Sequence, residues 1–211
     1  CQDCHMPPTG ETYFALPQVG GLAHPPERIP SHLQLGATSV ELLQNTVTLT
    51  LAARQVASQI EVTVTVTNAH AGHHVPTDFP GRHMILVVTT QDGQGGTLSL
   101  QGGPTIPAWG GAQAGLPGMA FAKVLRDVES GASPVVSYWR QALIVSDNRI
   151  PALGSDTSHY TFAAPAGGAP VTVRAELRLR RAFQEVMEAK GWVTPDIIME
   201  VVNVTLDRHQ E

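Results

Sequence analysis

With 211 residues, 42 % of them hydrophobic, the chain is long enough to bury a core of ordinary size without disulfides to hold it. A charged fraction of 15 % and a formal net charge of -5 leave no basic stripe to neutralise phosphates, so no nucleic acid is expected as a partner. No apolar run approaches the roughly 20 residues of a membrane-crossing helix, so no transmembrane segment is expected and the chain reads as soluble.

The chain opens CQDCHMPP, and both of its cysteines are spent there, at Cys1 and Cys4, with His5 following at once. Two thiols separated by two residues can each add to one of the two vinyl groups on a porphyrin edge, while the next histidine lies under the ring and ligates iron. Cys1-x-x-Cys4-His5 is therefore read as a covalent haem-attachment motif, and haem c as the cofactor. A redox CxxC belongs at a helix start inside a βαβ pattern, which is lacking here; a zinc site wants a second cysteine pair, also lacking. No secretory signal is visible, yet a chain whose first residue is a committed cysteine reads as the processed or cut end of a longer polypeptide.

Residues 1–38 are rich in proline, glycine and histidine and hold no sustained period. Such a segment can wrap an apolar porphyrin and take from it the core it cannot build. On that reading Phe14, Leu16, Val19 and Leu22 face the haem; packing against the rest of the protein is the alternative. From residue 45 onward the character changes. TVTLTLAAR and QIEVTVTVTN alternate apolar with Thr and Glu, the pattern of strands with one buried face, joined by a turn at residues 55–58. HMILVVTT, GTLSL, FAKVLRDV, QALIVSD, HYTFAA, VTVRAELRLR and IIMEVVNVTL follow as strands between Gly- and Pro-rich connections. About nine such strands predict an antiparallel β-sandwich over residues 39–211, a mainly β fold behind a short irregular haem-binding segment, residues 1–38. The uncharged, glycine-rich residues 102–118 read as a surface excursion pinned by Trp109. RAFQEVMEAKG is the one helical stretch, with Phe183, Val186 and Met187 on one side and Gly191 suited to its C-cap; it is inserted between the last two strands.

Other chemistry finds little footing. No GxSxG elbow, Walker loop or GxGxxG after a strand is present. Ser155, Asp156, Ser158 and His159 are triad residue types, but neighbours on a strand point to alternate faces. Asp147 and Asn148 could offer oxygens to calcium, although a turn with Asx hydrogen bonds explains them as well. Among the nine histidines, His32 in RIPSHLQLGA and His73 in NAHAGHHVPTDFPGRH stand out, each set in a loop between prolines and glycines that can direct its side chain. Met6 adjoins the proximal position, and Met84, Met119, Met187 and Met199 read as buried fillers. His70, His73, His74 and His83 fall within fourteen residues and permit a different reading, a copper- or zinc-binding histidine cluster in a β-sandwich. His24, His159 and His209 receive no role, His209 being read as exposed.

CQDCHMP, then SH after a Pro-rich stretch, then TNAHAGHHVPTD, PGRHMILVV, SDNRIPALGS and VRAELRLRRAF together resemble the C-terminal module of large multihaem c-type cytochromes, over nearly the whole chain. The resemblance implies electron transfer outside the cytoplasm, in the periplasm or the extracellular space, by a carrier more than by a catalyst. It implies His5 as proximal ligand, His32 as the first choice for the distal ligand and His73 as the second, either of which can serve a neighbouring haem in such families. It further implies other haem-bearing domains or subunits as donors and acceptors, and allows a homo-oligomer or filament. Asp78 stands where the family's Gly-His-x-x-Pro-Thr-Gly stretch ends in glycine, so the turn after Thr77 is expected to differ.

Overall fold

The computed structural model describes residues 1–207, so His209 lies outside the described residues. The chain divides into two compact units, Cys1–Leu43 and Gln44–Glu211. The first contains one helical turn, α1 (Gln2–His5), and the start of α2 (Val40–Gln44), joined by irregular chain with 3-10 turns at Pro17–Val19 and Pro26–Arg28. Proline at the start of both turns suits their missing N–H. Isolated antiparallel bridges, Pro8 with Pro30 and Tyr13 with Ala23, take the place of sheet.

The second unit is mainly β, and every strand pair in it is antiparallel. Its strands are β1 (Thr48–Val56), β2 (Gln59–Thr67), β3 (His83–Asp92), β4 (Leu100–Gly102), β5 (Gly118–Phe121), β6 (Lys123–Asp127), β7 (Ala142–Asp147), β8 (Ser155–Ala163), β9 (Val171–Arg180) and β10 (Ile197–Leu206). They form two four-stranded sheets, ordered β1-β2-β8-β4 and β10-β9-β3-β5, and a separate hairpin, β6-β7. Alternation determines which side chains enter the core of the first sheet: Ile60, Val62, Val64 and Val66 of β2 are buried, as are Tyr160 and Phe162 of β8. The opposite face is polar, and hydroxyls pair across it, Thr65 with Thr157 and Thr67 with Ser155 at 2.8 Å each.

β3 is apolar without alternation because both of its faces are covered. Met84, Leu86 and Val88 lie on one side, and Ile85 and Val87 on the other pack with Ile106, Ala120 and Trp109. Residues 102–118 are thus a cover for the outer face of the second sheet, not a mere excursion. Trp109 pins it as expected, and buried Ile106 adds a second anchor. At Gly118 a Cβ would meet the Leu86 carbonyl oxygen at 2.0 Å, so only glycine lets β5 approach β3 there.

Two strand expectations require correction. GTLSL forms only a bridge, Gln91 with Thr97, before the short β4 begins at Leu100. FAKVLRDV is not one strand: it breaks at Ala122, with β5 in the second sheet and β6 in the hairpin. At that break the Asn148 amide substitutes for a missing strand, accepting from the Ala122 N–H (2.9 Å) and donating to the Ala120 carbonyl (2.8 Å). The helix between the last strands is present as α3 (Gln184–Lys190), closed by Gly191 at φ 63° and ψ 27°.

Cover, helix and sheet meet at His83, which is 0 % exposed. Its ring stacks on Phe183 (5.0 Å between centroids) and meets Trp109 edge-on (5.5 Å). Burial pushes the imidazole from its ordinary 6.5 down to about 4, against the bond from Nδ1–H to the Gly81 carbonyl (2.9 Å). The unfolded chain therefore binds a proton near pH 6.5 that the folded chain refuses until about 4. Stability present above pH 6.5 is lost as the pH falls toward 4, by about 3 kcal/mol at pH 4. Urea unfolding should show the gap between the native chain and His83→Leu shrinking by about that amount between pH 7 and pH 4. A gap independent of pH would overturn this account of His83.

Candidate haem-attachment site

The haem motif is one turn of helix. His5 N–H donates to the Cys1 carbonyl (2.9 Å) and Met6 N–H to that of Gln2 (2.7 Å), which places Cys1, Cys4 and His5 at i, i+3 and i+4 on one side. Both thiols are free and exposed. The His5 ring is half-buried, and its Nδ1 is bonded to the Leu35 carbonyl oxygen. A carbonyl can only accept, so Nδ1 carries the proton and, in the neutral ring, the lone pair is on Nε2. That is the tautomer a ligating histidine needs, oriented by a backbone acceptor in the manner usual for such ligands. The residues present therefore fit covalent haem: two reachable thiols, and an imidazole of fixed orientation beside them.

His32 is brought to this helix by the pairing of the chain around it. Ser31 N–H donates to the Pro7 carbonyl (2.8 Å), and Leu35 N–H to that of His5 (3.1 Å). Residues 31–35 consequently form an arch tied at both ends to residues 5–7, with His32 exposed upon it. Inside the arch the Ser31 hydroxyl accepts the Leu33 N–H (3.1 Å), which limits where residue 32 can turn. Leu35 escapes any sequence reading, because every residue carries a carbonyl and nothing local marks the one that is used. His24, given no role from the sequence, is half-buried in the same unit with its ring edge-on to Phe14 (5.1 Å).

Phe14, Leu16, Val19 and Leu22 are not packed away. With Tyr13 and Leu33 they are 43 to 78 % exposed, a large apolar surface for a unit of this size. A single exposed leucine is ordinary, but six large apolar side chains left out of one small unit are surface of the kind that covers a ligand.

His73 belongs to the second unit, on a loop governed by the buried Asn68. The Asn68 amide donates to the carbonyls of His73 (2.7 Å) and Ile150 (3.2 Å) and accepts from Ala71 N–H (3.1 Å). His73 is exposed, and its Nδ1–H donates to the His74 carbonyl (2.9 Å). Asp78 takes the left-handed conformation, φ 71°, that glycine would adopt freely, and it is tied to Arg82 (2.8 Å).

The copper or zinc reading of His70, His73, His74 and His83 is overturned. His83 is sealed in the core while the other three are exposed, and among the described residues no three His, Cys, Asp or Glu side chains group to hold a metal. Period-two alternation turns His83 to the covered face of β3, away from the loop that carries the others. The oxygens considered for calcium are likewise engaged. Asp147 is gripped by Arg149 (2.6 and 2.7 Å), which holds its carboxyl below the usual range, and Asn148 bridges the strand break. Ser155 and His159 are exposed whereas Ser158 between them is buried, and His159 Nδ1 bonds to Thr63 instead (3.1 Å), so no relay forms.

No protein-family model matches the sequence, and no curated protein matches it. Among solved structures, a penta-haem cytochrome c552 from Thermochromatium tepidum shares the fold with a TM-score of 0.69 at 21 % identity. The match covers 98 % of this chain and 47 % of that one, so the chain spans about half the length of that cytochrome. A structural-genomics target (TM-score 0.30, 11 % identity, 79 % and 96 % of the two chains) and a Mu homology domain from Danio rerio (0.24, 11 %, 65 % and 42 %) are too distant to carry an argument.

Proposed function

We propose that this chain is a haem-bearing electron-transfer module of a larger extracytoplasmic, multihaem assembly. Residues 1–38 are the haem-binding segment and residues 39–211 the β-sandwich that accompanies it. The observation that carries the reading is the helical turn with Cys1, Cys4 and His5 on one side and the His5 Nδ1–H committed to the Leu35 carbonyl. The fold shared with a penta-haem cytochrome supports it. Cys1 and Cys4 anchor the porphyrin edge as thioethers, and His5 ligates through Nε2. A haem held there supplies a one-electron iron couple. His32, exposed on the arch of residues 31–35, would be the first choice for the distal ligand; His73, from the second unit, would be the second choice and could serve a neighbouring haem. The exposed apolar side chains around Phe14 and Leu22 exclude water from the ring face and so help set the potential.

The test is a visible spectrum of protein produced in a host that attaches haem c. Sharp bands on reduction that survive acid-acetone extraction are expected, and a colourless protein overturns the proposal. The distal assignment is read separately. His32→Ala should abolish the bis-imidazole signature of the oxidised protein in paramagnetic resonance, with the covalent bond intact. An unchanged signature removes His32 from this iron.

A further inference from the structure

Successive residues of a strand point to opposite faces, and Leu143 and Ile144 of β7 are 51 and 63 % exposed, so β7 is bare and apolar on both faces at once. Its hairpin with β6 stands outside both four-stranded sheets, and β7 pairs with no other described strand. The far side of the hairpin is closed by its own connection, where Asp127 N–H donates to the Ala132 carbonyl and Val135 N–H to that of Leu125, each at 3.0 Å. The bare edge is thus β7 alone. The same connection carries Tyr138 and Trp139, 91 and 72 % exposed, with their rings edge-on at 5.1 Å.

Shape and charge select the occupant. A flat protein surface covers one face of a strand, whereas a fluid layer receives side chains from both. The backbone groups along the open edge of β7 still need hydrogen-bond partners, which hydrocarbon lacks and the hydrated headgroup layer of a bilayer offers. Tryptophan and tyrosine settle at that level, with the ring in the apolar part and the polar tip toward water. Charge agrees with this. Within residues 123–149 four cations, Lys123, Arg126, Arg140 and Arg149, stand against three carboxylates, whereas the whole chain carries -5. Arg140 is engaged by Asp127 at 2.7 Å and Arg149 by Asp147 at 2.6 Å. Lys123 and Arg126 have no ion-pair partner among the described residues. Arg126 lies opposite Leu143 in the register, and Lys123 opposite Asp147, whose carboxyl Arg149 already holds. Two free cations beside bare apolar side chains attract an anionic lipid surface, and salt screens the acidic remainder of the chain beyond about 10 Å.

We propose that this arm, residues 123–147, docks the chain peripherally on an anionic lipid surface, with Trp139, Leu143 and Ile144 at headgroup depth and Lys123 and Arg126 against lipid phosphates. The proposal does not rest on the haem reading. Cosedimentation of the full, haem-loaded chain with vesicles of phosphatidylglycerol and phosphatidylcholine tests it, beside vesicles of phosphatidylcholine alone. The native chain is expected to bind the anionic vesicles about 30-fold more tightly than the neutral ones. Lys123→Gln with Arg126→Gln should abolish that preference, and Trp139→Ser with Ile144→Asp should weaken binding to the anionic vesicles about 100-fold. Trp139 and Ile144 are exposed, so far-UV circular dichroism and the urea midpoint of the second variant should match those of the native chain. A native chain that binds no vesicle, or that binds both kinds equally, overturns the proposal. So do variants that sediment as the native chain does, because the lipid-binding surface then lies elsewhere.

Discussion

Replacing Cys1 and Cys4 together by serine is expected to remove all covalently held haem, so that intact mass falls to that of the polypeptide and acid-acetone extracts every trace of colour. Each single variant should keep one thioether and give a mass still carrying a haem. The effect is large because the turn of α1 sets both thiols on one side with His5, and no other cysteine in the sequence can substitute. His5 could still ligate iron, but one coordinate bond exchanges where a thioether does not. A consequence for the first unit should follow. Its exposed apolar side chains lose their cover, and burying a large apolar side chain stabilises by about 1.5–3 kcal/mol. Faster proteolysis within residues 10–35 of the double variant is therefore expected, with the near-UV signal of the sandwich retained. Full covalent haem in the double variant would refute the assignment of both cysteines.

The second large effect lies far from the motif in sequence. Arg180 is 5 % exposed at the end of β9 and ties three elements together. It bonds Asp196 in bidentate fashion (2.8 Å twice), the Gly110 carbonyl (2.7 Å) and the Gln113 side chain. Sheet, cover and the approach to β10 thus share one guanidinium, whose planar fork suits it to several acceptors at once. Arg180→Met leaves the half-buried Asp196 carboxylate with only Arg178, at 3.8 Å, beside it and takes the donor from two further acceptors, and should cost about 3 kcal/mol in urea unfolding. Arg180→Lys should recover only part of this, since an ammonium cannot span Asp196 and the cover together. A loss below about 1 kcal/mol would mean that the cover is held by Ile106 and Trp109 alone.

The elements with a strong period were legible from the sequence. VTVRAELRLR and IIMEVVNVTL coincide with β9 and β10, QIEVTVTVTN contains β2, and Gly191 ends the inserted helix as its position suggested. What escaped was set at long range. FAKVLRDV breaks at Ala122 because an amide 26 residues onward completes the backbone there, and no pattern within the segment foretells that. His83 looked like one of a cluster because the cover that buries it is built from a glycine-rich stretch without periodicity. At the candidate site the Cys1-x-x-Cys4-His5 spacing is local and readable, whereas the acceptor that orients His5 and the arch that carries His32 depend on pairings some 24 to 30 residues apart.

The strand order bears on how the molecule is made. β1 and β2 complete their sheet only with β8, and β3 is sandwiched between β5 and β9, so neither layer can close until the last third of the chain has left the ribosome. The bridges of the leading unit, by contrast, join residues close along the chain, Pro8 with Pro30 and Tyr13 with Ala23. If the proposed function holds, synthesis from the N-terminus would present the thiols for haem attachment while the sandwich is still waiting for its partners. On that function the topology would separate cofactor loading from sandwich assembly in time.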